Sequence, residues 1–222
     1  MKGLLRIIVC LILMLSLYAC GNRNNNVAPG VNSSMDNTEA VIDNMALSKE
    51  TAVCKRVAFE HMYSDVGMEY ALISGFDEND NTLWEYTTGQ YPATQLDLVN
   101  EIGFKDDRYY YTEDGSIIAL DTGTGEIVWT NDEYMGAVTD SVMGDDAIYL
   151  CGYFGPDFFA VSFDGETICN IRHFNDTHFW ASKIELLDMQ VLVHLYGGSE
   201  NGAPAIFSVD LITYDFKLEN EG

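Results

Sequence analysis

An internal repeat constrains the fold of this chain more than any other feature of its sequence. Residues 106–129 read DDRYYYTEDGSIIALDTGTGEIVW, and residues 145–169 read DDAIYLCGYFGPDFFAVSFDGETIC. Both segments begin with two aspartates, enter an apolar strand, turn at a glycine-containing tip, and continue into a second and a third strand. The two copies start about 40 residues apart, which is the spacing of a repeating structural unit.

Two weaker copies flank this pair. Residues 187–218 form one of them, and residues 68–86 supply the end of another, with Trp84 about one repeat of 45 residues before Trp129. An apolar segment precedes the inner copies, as AVTDSVM does at residues 137–143. Because four short strands per repeat are typical of propeller blades, the sequence predicts an all-β fold of about four four-stranded antiparallel blades.

The segment ALDTGTGEIVW, residues 119–129, is the cleanest copy of one turn in this repeat. Ala119 is small enough for a neighbouring blade to approach, and Asp121 can accept hydrogen bonds from turn amides. Gly125 can adopt the positive φ of a tight hairpin, and Trp129 offers a large flat surface with one donor. This spacing resembles the tryptophan-docking motif of the pyrroloquinoline-quinone-like repeats in quinoprotein β-propellers.

The resemblance implies an architectural role for Ala119, Asp121, Gly125, Trp129 and Trp84, which would hold blades together. It weakens in the other copies, where the sequence aligns Cys169, and then Phe216 or Tyr214, with the tryptophan. The family usually builds larger rings, so about four blades indicate an open arc, a partial β-propeller. Its dehydrogenases enclose the quinone with a calcium ion, an aspartate base and a vicinal disulfide. This chain has no adjacent cysteines, and we therefore expect neither a cofactor nor enzymatic activity.

The first residues are predicted to be a lipoprotein signal peptide, residues 1–19. Lys2 and Arg6 precede the apolar run IIVCLILMLSLYA, which is too short to span a bilayer as a mature helix. The run ends in LYAC, which resembles the lipobox of bacterial lipoproteins, whose cysteine, here Cys20, carries the lipid. An ordinary signal peptide or an N-terminal membrane anchor remains the alternative.

Two further segments and a location follow from this interpretation. Residues 20–50 are predicted to be the lipidated cysteine and a flexible tether, because asparagine and serine abound and aromatic residues are absent. Residues 51–222 are predicted to be the propeller-repeat domain. The expected location is the cell membrane or cell envelope, on the extracytoplasmic side.

The charge balance excludes some partners. The chain has 11 Lys and Arg against 35 Asp and Glu, and such a surface repels nucleic acid and anionic lipid. The acidic residues are spread along the chain, so we interpret them as a source of solubility, with cation attraction as the alternative.

Four local groups of residues suggest chemistry, and each also has a structural interpretation. DENDN, residues 77–81, alternates oxygen ligands as a calcium loop does but lacks the glycine and glutamate of that motif, so we predict a polar hairpin tip. His173, Asp176 and His178 could bind a metal ion, but they stand in a predicted loop without a second cluster, so no metal site is predicted.

The remaining two groups are cysteines and aromatic residues. The repeat places Cys151 in the second strand and Cys169 in the fourth strand of one blade, about 9.6 Å apart, beyond disulfide reach. The aromatic runs RYYY (residues 108–111) and HFW (residues 178–180) are predicted to be mostly core, with a minority on loops.

The sequence thus favours a membrane-anchored, non-catalytic binding or scaffold lipoprotein. Its partner would be another envelope protein or a polymer, contacted by strand edges and loops. Two alternatives remain: a half-propeller that forms a homodimer or caps a partner, and a quinoprotein-like enzyme.

Overall fold

The described part of the chain is built from β-strands alone. The computed structural model describes residues 53–94, 97–174, 180–196 and 204–221, all within a compact unit spanning Lys49–Gly222. None of these residues forms a helix long and apolar enough to cross a membrane. The predicted signal peptide, Cys20 and the tether lie outside the described residues.

The strands form four consecutive antiparallel blades, of which blades 2, 3 and 4 are four-stranded meanders. Blade 1 contains β1 (Arg56–Tyr63), β2 (Met68–Phe76), β3 (Thr82–Thr87) and β4 (Tyr91–Pro92). Blade 2 contains β5 (Val99–Lys105), β6 (Arg108–Glu113), β7 (Ser116–Asp121) and β8 (Ile127–Asn131). Blade 3 contains β9 (Ala137–Met143), β10 (Ala147–Tyr153), β11 (Phe158–Ser162) and β12 (Thr167–Ile171). Blade 4 contains β13 (Trp180–Leu186), β14 (Gln190–Tyr196), β15 (Ala205–Asp210) and β16 (Phe216–Glu221).

The blades follow one another as an open arc, which confirms the predicted fold class. β9, the first strand of blade 3, packs against the first strands of both neighbours, β5 and β13. The sheets of blades 3 and 4 also join through one bridge, Tyr153 opposite Trp180. Among the described residues, β1 and β2 pack against β5 of the next blade, so contacts between blades run in sequence order.

Blade 1 differs from the other three. Trp84 on β3 lies opposite Gly75 on β2, just as Trp129 on β8 lies opposite Ala119 on β7. The strands β1, β2 and β3 therefore correspond to the second, third and fourth strands of blade 2. The short β4 pairs with the start of β2 beyond the end of β3. The described residues of blade 1 thus fill three strand positions, and β1 is its innermost strand.

The hydrophobic core lies between the blades, because successive side chains on a strand point to opposite faces. Tyr109 and Tyr111 of β6 join the cluster between blades 1 and 2, whereas Tyr110 joins the cluster between blades 2 and 3. In β11, Phe158 joins the cluster between blades 3 and 4, whereas Phe159 joins the cluster between blades 2 and 3. The run RYYY is therefore core, because both faces of its strand are covered. His178 and Phe179 of the second aromatic run lie outside the described residues.

Candidate functional site

A hairpin turn links the third and fourth strand positions of every blade, and blades 2 and 4 share one Asp-based form of it. Asp121 Oδ1 accepts hydrogen bonds from the amides of Gly123 and Thr124, both at 3.0 Å. In blade 4, Asp210 Oδ1 accepts the amides of Ile212 and Thr213 at 2.8 and 2.9 Å. These amides hold the pKa of Asp210 below its usual range, because they stabilise the ionised carboxylate. The turn is thus a rigid edge presented to the preceding blade.

The turn of blade 2 receives the tryptophan of blade 1. The Trp84 indole Nε1 donates to the carbonyl oxygen of Thr122 at 2.6 Å. The same ring covers Gly125, where a β-carbon would come within 2.6 Å of Trp84 Cδ2. Gly125 has a φ of 73°, which L side chains rarely adopt. Both features require glycine at position 125.

The turn of blade 3 receives the tryptophan of blade 2. The Trp129 indole Nε1 donates to the carbonyl oxygen of Phe163 at 2.9 Å, and its ring covers Gly165. The rings of Trp129 and Tyr110 lie 5.8 Å apart in the same interface. Asp121 and Gly125 therefore act with Trp84 of the preceding blade, and Trp129 of their own blade acts on the next one.

At the boundary between blades 3 and 4, the large and small residues of the other two boundaries exchange places. Blade 3 contributes the small residue, and the turn of blade 4 contributes the large one. Cys169 lies opposite Ala160, as Trp129 lies opposite Ala119, so a cysteine takes the tryptophan position. In the receiving turn the positive-φ position belongs to Tyr214, at 58°, instead of glycine. Its amide donates to the Asp210 carbonyl, as that of Gly125 does to Asp121.

This register corrects the sequence alignment of the last copy. Tyr214 lies in the turn, at the glycine position, and Phe216 begins β16 opposite Val209. Neither residue takes the tryptophan position, since Lys217 lies opposite Ser208, the counterpart of Ala119. The aromatic side chain of this boundary thus belongs to the receiving turn.

A cleft of about 1140 Å³ opens beside this reversed pair, between blades 3 and 4. Tyr214 lines it together with Ile168, the neighbour of Cys169. Three turns form the rest of its wall: residues 143–147 between β9 and β10, residues 186–190 between β13 and β14, and residues 210–212 after β15. The cleft therefore lies at the boundary where cysteine replaces the docking tryptophan, at the end of the strands that carries the docking turns.

The cleft combines apolar walls with an acidic rim. Its exposed apolar side chains include Leu187, Met189 and Ile212, which are 42%, 55% and 72% exposed. The exposed carboxylates of Asp145, Asp146 and Asp188 belong to the same turns. One cation lies next to the rim: the Lys105 Nζ donates hydrogen bonds to the carbonyl oxygens of Gly144 and Asp145. Such a surface suits a ligand that is both apolar and basic.

The sequence analysis did not identify this cleft. Its turn residues are scattered over three hairpins, so no local motif unites them. The signal that could have found it is the loss of tryptophan at Cys169, which leaves a blade boundary with less side-chain volume.

The predicted polar tip at residues 77–81 is a hydrogen-bonded turn. Asp77 Oδ1 accepts the amides of Asn79 and Asn81 at 2.8 and 2.9 Å, and Oδ2 accepts the Asn81 side-chain amide at 2.9 Å. Both oxygens of Asp77, the first of the candidate calcium ligands, are thus engaged within the hairpin.

The candidate metal ligands in RHFNDTH are only partly described. The His173 Nδ1 lies 3.9 Å from Asp157 Oδ2, and the same oxygen accepts the amide of Phe174 at 2.9 Å. Asp176 and His178 lie outside the described residues. The structure therefore places His173 next to a buried carboxylate that also binds the backbone.

The cysteines of blade 3 lie where the repeat predicts. Cys151 is on β10 and Cys169 is on β12, with β11 between them, and both are free thiols. Burial raises the pKa of Cys151 to about 12 and that of Cys169 above its usual value. Both thiols therefore stay protonated at neutral pH, and a protonated thiol is a poor nucleophile.

Comparison with known proteins shows a likeness in structure only. No protein-family model matches the chain, and no curated protein matches its sequence. The chain is similar to the computationally designed Ika8 protein, with a TM-score of 0.52 and 13% identity over 73% of this chain and 48% of that one. It thus spans about half the length of that design.

Two further solved structures are similar at lower scores. The computationally designed Ika4 protein has a TM-score of 0.45 and 14% identity over 67% of this chain and 89% of that one. A europium-containing methanol dehydrogenase has a TM-score of 0.24 and 16% identity over 73% of this chain and 27% of that one. With the blade geometry above, the class of this protein is an all-β, propeller-like arc of antiparallel blades.

Proposed function

We propose that this protein is a non-catalytic binding module, held at a membrane through a lipid on Cys20. Its cleft between blades 3 and 4 would bind an apolar and basic segment of another envelope protein. The observation that carries the proposal is the cleft itself, which combines exposed apolar side chains with a carboxylate rim where a docking tryptophan is replaced by Cys169.

The shape of the cleft favours a peptide segment over a compact surface. Leu187, Met189 and Ile212 line the cleft from blade 4, and the exposed Ile168 lines it from blade 3, so apolar contacts are available along both walls. Apolar residues that remain exposed together often mark an interaction site. The rim would select the sequence of the segment, since Asp145, Asp146 and Asp188 attract lysine and arginine and repel acidic partners.

A binding role also agrees with the chemistry of the two thiols of blade 3. Cys151 is fully buried and Cys169 half-buried, and the pKa of each is raised by burial. Neither thiol therefore has the lowered pKa of a nucleophile.

The alternative of a homodimer, in which two arcs close one ring, has weaker support. Blade 1 offers Asp80 at the positive-φ position of its turn, where it pairs with Arg56 at 3.0 Å. Blade 4 offers Lys217 opposite Ser208, where blade 2 has Trp129 opposite Ala119. A second copy would also bring the same net charge of −24, which opposes association.

A model peptide tests the proposed function. We would titrate the full-length chain with a synthetic peptide of alternating lysine and leucine, and with an alternating glutamate and leucine peptide, by fluorescence anisotropy. The double variant D145N/D146N should weaken binding of the basic peptide about three- to tenfold, as loss of two rim charges does. The matched control is D106N/D107N, which removes two aspartates from the equivalent turn of blade 2.

An apolar variant adds a second readout. Met189→Ser should also weaken binding, whereas Val66→Ser, at a residue 82% exposed in blade 1, should leave it unchanged. Equal weakening by the control variants, or equal binding of the acidic peptide, would contradict the proposal.

A further inference from the structure

The hairpin of β1 and β2 brings an imidazole and a carboxylate together at the end nearest blade 2. His61 pairs with Ala71 and Tyr63 with Glu69, so His61 and Glu69 are diagonal neighbours on one face of the hairpin. The His61 Nε2 lies 3.4 Å from Glu69 Oε2. A third group, the Asp97 carboxylate, comes from the segment that enters β5, and all three ligand atoms lie within 4.8 Å of one another.

Two of these atoms are buried without a hydrogen-bond partner. Glu69 is fully buried, and its Oε1 accepts the amide of Leu98 at 2.7 Å. Its Oε2 and the His61 Nε2 are both inaccessible to solvent and make no hydrogen bond. A buried carboxylate oxygen without a partner is costly, so a positive charge between Oε2 and Nε2 would stabilise the arrangement.

A second histidine–glutamate pair differs from the first at its carboxylate, although its His194 Nε2 likewise has no hydrogen-bond partner. The His194 Nε2 lies 3.3 Å from Glu185 Oε1, and the Lys183 ammonium also binds that oxygen. The cation there is supplied by the chain itself. Glu69, in contrast, forms no ion pair with lysine or arginine among the described residues.

We propose that His61, Glu69 and Asp97 bind a divalent transition-metal ion of the Zn²⁺ type. One imidazole nitrogen and two carboxylate oxygens form a common zinc ligand set, with the fourth position left to water. Zinc bonds of about 2.0 Å in a tetrahedron place neighbouring ligand atoms about 3.3 Å apart. The 3.4 Å between His61 Nε2 and Glu69 Oε2 matches this spacing.

The ligand set also decides against the harder cations. Ca²⁺ requires six to eight oxygen ligands, and Mg²⁺ prefers oxygens and water in an octahedron. Imidazole suits zinc, nickel and copper better than either. The burial of Glu69 and the convergence of two strands distinguish this group from exposed carboxylates elsewhere on the acidic surface.

The metal would connect parts of the chain that the sheet does not join. β1 is the innermost described strand of blade 1, whereas Asp97 stands at the start of blade 2. A bound ion would therefore link the innermost strand of blade 1 to the start of blade 2. Its role would be structural, and it is independent of the cleft between blades 3 and 4.

Zinc binding by the full-length chain tests the proposal. Calorimetric titration with ZnCl₂ should give one site, and Zn²⁺ should raise Tm while equal Mg²⁺ or Ca²⁺ should not. Asp97→Asn should weaken Zn²⁺ binding more than about tenfold, as should His61→Gln. The matched control is His194→Gln, which alters the other histidine–glutamate pair and should leave the affinity unchanged.

Two further results decide the matter. Replacement of Zn²⁺ by Co²⁺ should give the visible absorption of a four-coordinate site, lost in D97N. Because Asp97 is exposed, D97N should keep the Tm of the metal-free protein. Unchanged zinc affinity in D97N, or equal binding of Mg²⁺ and Zn²⁺, would overturn the proposal.

Discussion

The indole ring of Trp129 lies so close to Gly165 of the next blade that a β-carbon at position 165 would come within 2.7 Å of its Cδ2 atom. Trp84 and Gly125 repeat this relationship one boundary earlier. A large residue on one blade thus requires a small one on the next. The boundary between blades is therefore the packing unit of the arc.

Replacement of Gly165 by alanine should destabilise the domain through this contact. The φ of 87° alone costs about 1–2 kcal/mol for a side chain, and overpacking against the indole adds about 1–3 kcal/mol. Urea denaturation measures the total. The control is Gly67→Ala, where φ is 75° and no atom lies within 4 Å of the added carbon. Equal losses in both variants would show that the indole contact is unimportant.

The Trp129→Phe variant removes the hydrogen bond to Phe163 and also part of the indole that packs over Gly165, so the loss it measures is at least that of the bond. Phenylalanine keeps an aromatic ring in the interface but cannot donate to the carbonyl oxygen at 2.9 Å. Loss of this bond should lower the free energy of unfolding by about 1 kcal/mol. The denaturation midpoint checks this value, and an unchanged midpoint would contradict it.

The reversed pair at the third boundary predicts a coupling between Cys169 and Tyr214. Cys169→Trp alone should be destabilising by about 1–3 kcal/mol, because the indole meets the tyrosine that takes the place of glycine. The double variant C169W/Y214G restores the arrangement of the other two boundaries. It should lose less stability than the sum of the single variants, as a double-mutant cycle measures. Additive losses would show that the two positions do not meet.

Alkaline pH should unfold the domain through its buried tyrosines. Burial raises the pKa of Tyr110 and Tyr149 to about 12, whereas an unfolded tyrosine has a pKa of about 10. Between these values the unfolded chain has lost protons that the folded chain keeps, so the free energy of unfolding falls as pH rises. Denaturation curves against pH should show this fall, with tyrosinate absorbance appearing as the chain unfolds. Complete ionisation near pH 10 in a folded chain would contradict the expectation.

The sequence predicted the blades because their signals are local. Asp121, Gly125 and Trp129 stand within one hairpin, and the spacing of Trp84 and Trp129 carries the repeat from one blade to the next. The alternation of tyrosines at 109–111 follows from strand geometry alone. Secondary structure and the order of the blades could therefore be derived without tertiary information.

The features that escaped prediction depend on register and on pairs of distant residues. Tyr214 was aligned with tryptophan because an aromatic residue was expected there, whereas its positive φ places it in the turn. His61 and Glu69 meet only because the β1–β2 register makes them diagonal neighbours. The third candidate zinc ligand is Asp97. The hydrogen bond from the Leu98 amide to Glu69 brings it close to the other two.

The direction of docking has a consequence for biosynthesis. Trp84 and Trp129 each leave the ribosome about 40 residues, one repeat, ahead of the turn on which they dock. A nascent blade therefore presents its indole to solvent or to a chaperone until the following blade has been made. The contacts between blades should therefore form one boundary at a time, starting from the N-terminal side. A pause in translation would leave the most recently made docking tryptophan exposed.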